Sequence, residues 1–322
     1  MEAMLAQLRA AADPTRLRIL ALAAGCDLCV ADFAEVLGQS QPRVSRHLGV
    51  MVEAGLLERR RESKNVFFRL APTGLAQELA ARIASADEAV AADRRAAQRV
   101  MAERAREATE LFRMQGANWD EMGALGLAHA EIEQAVLSRL PARLGRLLDI
   151  GTGTGRMLEV IAARAGTMLG IDASRAMLAL ARTRLAQQPA LRHASVRLGD
   201  MYRLELPDGH FDAVLLQMVL HYATEPAKAL AEAVRVLAPG GTLIVVDLAR
   251  HRHQGFAAQG HHWLGFDDDA IAAMLPEGAL MMEKPSVVQG RFETRIWVAR
   301  RKPATGRAGA VPAVEAQGTE RR

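Results

Sequence analysis

The sequence predicts two domains: a mainly α-helical domain closed by a β-hairpin, then an α/β domain built on a mostly parallel sheet. Three observations predict it. The chain has 322 residues, close to two domains at roughly 150 residues each. Its first 72 residues run helix, turn, basic helix, basic hairpin. From Leu147 onward a buried strand, a glycine-rich turn and a helix follow at once, and two later strands each end in an aspartate. Half of the residues are apolar and 24% are charged, enough for packed cores and a solvated surface. The longest stretch without Asp, Glu, Lys or Arg, residues 253–266, holds three histidines and is short of the roughly 20 apolar residues of a membrane span. The beginning, MEAMLAQLRAAADPTR, is charged and has no apolar core before a small-residue cleavage site, so no signal peptide is read and the cytoplasm is the expected compartment. The two cysteines, Cys26 and Cys29, are too close in sequence to staple a large domain and fit a reducing interior.

Residues 1–72 form the first domain. Asp13-Pro14 starts a helix, because Asp accepts a hydrogen bond from a free backbone N–H and Pro has none to lose in the first turn. Leu17, Leu20 and Ala24 recur along it, and Gly25 ends it. A second helix over Val30–Leu37 closes at Gly38, and Ser40 caps a third. There Val44, Leu48 and Met51 make one apolar stripe, leaving Gln41, Arg43, Ser45, Arg46 and His47 to face outward. A helix with that outward face suits a DNA major groove, reading base edges while its N-terminus and arginines meet phosphates. LLERRRESKNVFFRL then changes to strand period around a polar tip. Arg59, Arg60, Arg61 and Lys64 on this hairpin make a phosphate clamp beside the helix. Residues 40–70 hold seven Arg/Lys against three Glu, which equals the whole chain's formal excess of +4.

DPTRLRIL, LCVADFAEVLGQSQPRVSRHL, AGLLERRRE and FFRL together resemble the ArsR-type winged helix-turn-helix repressors. The resemblance implies a homodimer on a palindromic double-stranded operator, released when an effector binds. It departs from the metal sensors of that family. Their helix reads ELCVCDL, whereas Ala31 stands here in place of the second thiolate, and no histidine lies between His47 and His129 for the family's other metal site. Metal sensing is therefore not expected; Cys26 and Cys29 form a C-x-x-C that could serve as a soft-metal or redox pair, but with no further ligands in view they are read first as small, half-buried hydrophobes.

Residues 73–117 are expected to form a long connecting helix, about 60 Å if 40 residues are helical. Leu75, Leu79, Ile83, Val90, Val100, Leu111 and Phe112 are too sparse to stabilise it alone. It must pair with its twin or lie along the second domain; in the ArsR-type family long helices at this place form the dimer interface. Asn118-Trp119-Asp120 breaks the pattern, with Trp119 read first as a core plug and second as part of a lid over a ligand, and residues 130–140 resume as a helix.

The second domain is expected over 118–302. Leu147, Leu148, Asp149 and Ile150 form a strand that runs into Gly151-Thr152-Gly153-Thr154-Gly155 and a helix from Arg156. Such a turn lets a ligand press against backbone at a helix head. MLGID, ending at Asp172, is a second strand, and VRLG leads a third into Asp200. Asp172 is placed for ribose hydroxyls and Asp200 for an adenine amino group, so three strand ends converge on a nucleoside. A dinucleotide site would need glycine where Arg156 stands.

G-x-G-x-G, the D-x-S-x-x-M of Asp172, Ser174 and Met177, FDAVLLQMVLHY, RVLAPGGTLIVVDL and ETRIWVARR together resemble the class I S-adenosylmethionine-dependent methyltransferases over residues 140–300. The resemblance implies a Rossmann-like, seven-stranded sheet covered by helices on both faces. It also implies that Asp149, Gly151, Thr152, Gly153 and Gly155 wrap the amino-acid end of S-adenosylmethionine or S-adenosylhomocysteine, with Asp172 on the ribose and Met177 among the cofactor contacts. Asp200 and Met201 would meet the adenine and Gln217 the methionine side. Leu216-Gln217-Met218-Val219 lacks the Asn/Asp-Pro-Pro-Tyr of amino-group methyltransferases, and no cysteine follows Cys29 to act as a nucleophile or hold arsenite. Candidate bases are His221 and, after the fifth strand, His251, His253, His261 and His262; the spacing of those four matches no metal motif, and they are read as part of a loop over the pocket, one of them contacting acceptor or cofactor. The tail, 303–322, is rich in Ala, Gly and Pro without period and is expected to be disordered. The expected function is a repressor whose methyltransferase-like domain senses its cofactor; an active small-molecule methyltransferase that controls its own operon is the alternative.

Overall fold

The computed structural model describes residues 1–62, 65–72, 74–84, 88–114, 127–253 and 261–303. A helix not expected from sequence, α1 (Glu2–Ala11), precedes α2 (Pro14–Ala23). The Asp13 carboxylate caps α2 by accepting from the Arg16 N–H at 3.0 Å. A two-residue strand, β1 (Leu28–Cys29), leads into α3 (Val30–Leu37), which ends at Gly38 with φ 62°. α4 (Gln41–Glu53) starts after Ser40, which holds the cap position without a side-chain capping bond. The hairpin β2 (Leu57–Glu62) and β3 (Asn65–Leu70) completes a small antiparallel sheet in the order β1-β3-β2. Ile19, Leu20, Phe33, Val44, Leu48, Met51 and Leu56, all fully buried, form its core.

The expected single connecting helix is described as two, α5 (Gly74–Ala84) and α6 (Glu88–Met114), on either side of residues 85–87. Both return to α2, with Ala76, Ala80, Ala97 and Met101 buried in the first domain's core. The Asp93 carboxylate on α6 is buried and takes both Arg18 hydrogen bonds at 2.6 Å, and Asp32 on α3 pairs with Arg104 of α6. One of the two partners considered for this helix, the second domain, lays a helix along α6. Trp119, Lys64 and the tail from residue 304 lie outside the described residues.

The second domain opens with α7 (His129–Arg139), β4 (Leu144–Ile150), α8 (Arg156–Ile161), β5 (Ala165–Asp172) and α9 (Arg175–Gln187). β6 (Ala194–Leu198), β7 (Phe211–Gln217), α10 (Pro226–Val236), β8 (Leu237–Leu248) and α11 (Asp268–Met274) follow. β9 (Leu280–Met282), β10 (Ser286–Val288) and β11 (Thr294–Arg301) close the fold. The sheet order is β10-β11-β8-β7-β4-β5-β6, seven positions, with β9 an eighth strand on the other end of β11. β4 to β8 are parallel and β11 is antiparallel to β8. Both faces are covered, and consecutive residues go to opposite cores as strand alternation requires. Leu147, Leu215 and Ile296 lie in one core, Leu148, Leu216 and Trp297 in the other. Among the described residues no helix is long and apolar enough to cross a membrane.

The domains meet along two seams. α6 packs on α9, where the Thr183 hydroxyl donates to the Met101 carbonyl at 3.1 Å. The hairpin meets the sheet's edge strand β6: buried Glu62 takes Arg182 at 2.7 Å and the Leu198 N–H at 3.3 Å, while Arg60 donates to the Val196 carbonyl at 3.4 Å. The Arg182 guanidinium also sits 4.1 Å over the Phe67 ring.

Candidate functional site

Four parallel strands, β6, β5, β4 and β7, end side by side where the strand order reverses, the usual ligand position in an open α/β sheet. The β4 exit is held by its own backbone: the Gly151 and Thr152 N–H groups donate to the Ile171 carbonyl at 2.7 and 3.0 Å. Gly151, Gly153 and Gly155 have φ of 72°, 53° and 73°, a left-handed run that side chains resist. A Cβ at Gly151 would also lie 2.4 Å from Val219 Cγ2, so the β4 and β7 exits touch. Buried Asp149 accepts from the Thr152 hydroxyl at 2.7 Å. Burial pushes its carboxyl up to about 7, against the opposing pull of that hydrogen bond.

Asp172, at the β5 exit, accepts from the Gly153 N–H at 2.8 Å and the Ser174 N–H at 2.7 Å. Burial raises its pKa, and those backbone bonds oppose the rise. An ionised carboxylate has about four acceptor positions, so roughly two remain for hydroxyls of a ribose. Ser174 in turn caps α9, accepting from the Met177 N–H at 3.3 Å, and Met177 is buried beneath. Asp200 is exposed beyond β6 and orders the next turn by accepting from the Tyr202 N–H at 2.9 Å; Met201 beside it is half-buried. At the β7 exit Met218 adopts φ 53°, a strained conformation for a non-glycine residue. The neighbouring Gln217 Oε1 is buried with no hydrogen-bond partner among the described residues. Three ordered carboxylates and one unspent acceptor on adjacent strand ends fit an adenosyl group carrying an amino acid. All ten residues expected around that cofactor sit on these exits or on the first turn of α9.

His221 follows β7 in a short 3-10 turn, Leu220–Tyr222, and is fully buried. Its Nδ1 lies 2.7 Å from Asp247 Oδ1, an equally buried carboxylate at the end of β8, while Nε2 has no hydrogen-bond partner among the described residues. The His261 ring stacks on it at 4.1 Å. Burial, then His221, push the His261 imidazole down to about 4, so it is neutral at pH 7. The His262 and Trp263 N–H groups donate to the His221 carbonyl at 2.8 and 3.2 Å and clamp this segment over the turn. His251 and His253 instead pack near Phe292. Asp247 was not among the expected site residues. Its sequence signal was the one that revealed Asp149 and Asp172: an aspartate closing a buried strand. No group of metal-ligating side chains occurs among the described residues.

On α4, Gln41, Arg43, Ser45 and Arg46 are exposed, with Val44, Leu48 and Met51 fully buried beneath them. His47 is half-buried and turns toward Asp13, 3.9 Å from its carboxylate. The hairpin arginines do not act together. Strand alternation puts exposed Arg59 and Arg61 on one face and half-buried Arg60 on the other, which Glu62 shares and which docks on β6. Arg60 is thereby removed from the expected phosphate clamp. Glu62, Phe67 and Arg182, which join the domains, were missed for the same reason. Desolvation pushes the thiol of half-buried Cys26 up to about 12, in keeping with an unreactive group.

The fold is a winged helix joined to an α/β domain whose candidate site lies at the exits of its parallel strands. Residues 13–59 match the family of bacterial regulatory proteins of the arsR family, and residues 148–245 match the methyltransferase domain family. The chain thus joins an arsR-family helix-turn-helix domain to a methyltransferase domain. Its relatives include an uncharacterized 37.1 kDa protein in transposon TN4556 of Streptomyces fradiae, 41% identical over 35% of this chain and 33% of the relative. An uncharacterized methyltransferase of Mycobacterium tuberculosis is 33% identical over 46% of this chain and 59% of its own length. The ubiquinone/menaquinone biosynthesis C-methyltransferase UbiE of Bordetella parapertussis is 34% identical over the same shares. The chain therefore spans from a third to three fifths of these relatives. Among solved structures, an S-adenosylmethionine-dependent methyltransferase from Mesorhizobium loti aligns with 52% of this chain and 96% of its own, at 21% identity and TM-score 0.44.

Proposed function

We propose that the protein is a transcriptional regulator that binds operator DNA as a homodimer through α4 and the hairpin, with S-adenosylmethionine or S-adenosylhomocysteine as effector. The observation that carries this reading is the seam between hairpin and sheet. Glu62 on β2 holds the Leu198 N–H, two residues before Asp200, and α9 runs from the Ser174 cap beside Asp172 to its contact with α6. A ligand that shifts the β5 or β6 exit acts on the hairpin through one layer of side chains. S-adenosylmethionine supplies a methyl group on a sulfonium; its demethylated product lacks that charge, so the two ligands can favour different arrangements of this seam. A ligand moves such an equilibrium only through differential affinity for the two states.

The buried pair of His221 and Asp247 favours a second reading, a small-molecule methyltransferase, and the named methyltransferases among the relatives agree with it. In that reading Asp247 orients the imidazole and Nε2 takes a proton from the acceptor. With His221 fully buried under His261, an acceptor reaches Nε2 only if the 261–263 segment opens. The deciding experiment is fluorescence anisotropy on a labelled fragment from upstream of the gene, with protein alone, with S-adenosylmethionine and with S-adenosylhomocysteine. The regulator reading expects operator affinities that differ about 5- to 150-fold between ligands, the ordinary span of allosteric coupling. Equal affinities at confirmed saturation of the pocket refute it.

A further inference from the structure

A cavity lies away from the strand exits of the candidate cofactor site, between the outer face of the hairpin and the sheet domain, with a volume of about 670 Å³. It is lined by Arg146, Thr167, Ser195 and Phe211, from the beginnings of β4 to β7, whereas the cofactor residues sit at the opposite ends of the same strands. Six arginines line it: Arg60 and Arg69 from the hairpin, Arg146, Arg182, Arg192 and Arg197 from the sheet domain. Arg60 and Arg182 share one carboxylate, Glu62. Arg69, Arg146, Arg192 and Arg197 form no ion pair with a carboxylate among the described residues. Glu58 lies directly across the hairpin from Arg69, and even there no ion pair forms. Among the described residues the acidic members of the lining are Asp27 and Glu58, and Glu62 and Glu205 also act on its arginines.

Arg146 and Arg192 are exposed, whereas Arg60, Arg69, Arg182 and Arg197 are half-buried, so four like charges lose part of their hydration side by side. Burial first, then Arg69 and Arg182, press the Arg60 guanidinium below its ordinary value against the pull of Asp27 and Glu62. Burial and Arg60 do the same to Arg197, against the pull of Glu205 and Glu62. The face is not the DNA-reading one. Arg60 and Arg69 alternate with Leu57 and Phe68, which point the other way into the core beneath α4. Guanidinium forks match phosphate oxygens in geometry as well as charge, and the volume lies within the range of small-molecule sites.

We propose that this interdomain cleft binds a phosphorylated small molecule carrying two or more phosphate charges, gripped by hairpin arginines on one side and sheet-domain arginines on the other. The site is separate from the cofactor pocket and does not depend on which reading of that pocket holds.

The test is calorimetric titration of the full chain with pyrophosphate, ATP and, as a non-phosphate trianion, citrate. Saturable binding of pyrophosphate and ATP, weakened by salt and stronger than that of citrate, is expected. The double variant Arg69→Gln, Arg192→Gln leaves the Glu62 seam intact and should lose roughly tenfold or more in affinity. Its S-adenosylhomocysteine and operator affinities should match the wild type, which also controls for folding. No saturable binding of either phosphate probe overturns the proposal, as does unchanged affinity in the variant. Displacement of ATP by S-adenosylhomocysteine would place ATP in the cofactor pocket instead. An equal loss of operator affinity in the variant would make the cleft a DNA contact. Either result overturns the proposal.

Discussion

Glu62→Gln isolates the seam between reader and pocket. The Glu62 and Arg182 side chains are 5% and 10% exposed, and both Glu62 oxygens lie within 2.8 Å of one Arg182 nitrogen. Breaking a buried pair by removing a partner costs about 3 to 5 kcal/mol, because the other charge stays buried alone. Gln keeps the shape and an acceptor for the Leu198 N–H, so the expected loss is smaller, about 2 kcal/mol, near the value of one charge-assisted hydrogen bond. That is roughly a 30-fold shift from docked toward undocked hairpin. Operator anisotropy with and without saturating S-adenosylhomocysteine reads the consequence. In the wild type the ligand is expected to change operator affinity; in Glu62→Gln the two titrations should converge while ligand affinity, measured calorimetrically, changes little. A variant that retains the full wild-type ligand effect refutes the seam as the route of coupling. Loss of cooperative thermal unfolding would instead mark a folding defect, and Arg182→Lys, which keeps the charge, then serves as the second probe.

Asp172→Ala should abolish cofactor binding by calorimetry while leaving ligand-free operator affinity within about twofold, since distant sites are usually independent; loss of both refutes the assignment. Arg46→Ala should weaken operator binding by about 1 to 3 kcal/mol if it makes a base contact, with cofactor affinity unchanged; wild-type operator affinity in that variant removes α4 as the reading helix. For Asp149 the folded pKa is raised from 3.8 to about 7. Between those values the unfolded chain has released the proton and the folded chain retains it, so this group's contribution to stability falls as pH rises and levels off above about 7. Asp149→Asn has no such proton, so its melting temperature should gain on the wild type as pH rises from 4 to 7; parallel curves count against the raised pKa.

Much of the pocket was legible because its chemistry is local in sequence. Asp149, the three glycines and Asp172 each follow a buried strand directly, and the bond from the Gly153 N–H to Asp172 joins two such exits. The stripe of Val44, Leu48 and Met51 likewise needs only a helical period. What stayed hidden depends on distant neighbours. His221 and Asp247 are 26 residues apart and meet only because β7 and β8 are adjacent. Arg60 stands in a run of three arginines, and charge alone does not say which member faces a neighbouring domain. Residues 73–117 carry a helical period throughout, and the ion pairs of Asp93 with Arg18 and of Asp32 with Arg104 fold α6 back onto the first domain.

The edge position of β6 explains why hairpin and pocket should be read as one element. An edge strand exposes unpaired backbone groups that proteins normally cover. Here the cover comes from the hairpin: Arg60 takes the Val196 carbonyl and Glu62 the Leu198 N–H, in place of a further strand. The same strand pairs with β5 through Leu198 opposite Asp172, and the Gly199 N–H donates to the Asp172 carbonyl at 3.1 Å. A Cβ at Gly199 would lie 2.6 Å from Ile171 Cγ2, so the two exits approach more closely there than any side chain at 199 would allow. A ligand that draws Asp172 and Asp200 together therefore pulls on the strand that holds the hairpin. On the proposed reading, the hairpin's angle to α4, and with it the fit to two half-sites of an operator, follows the state of the pocket.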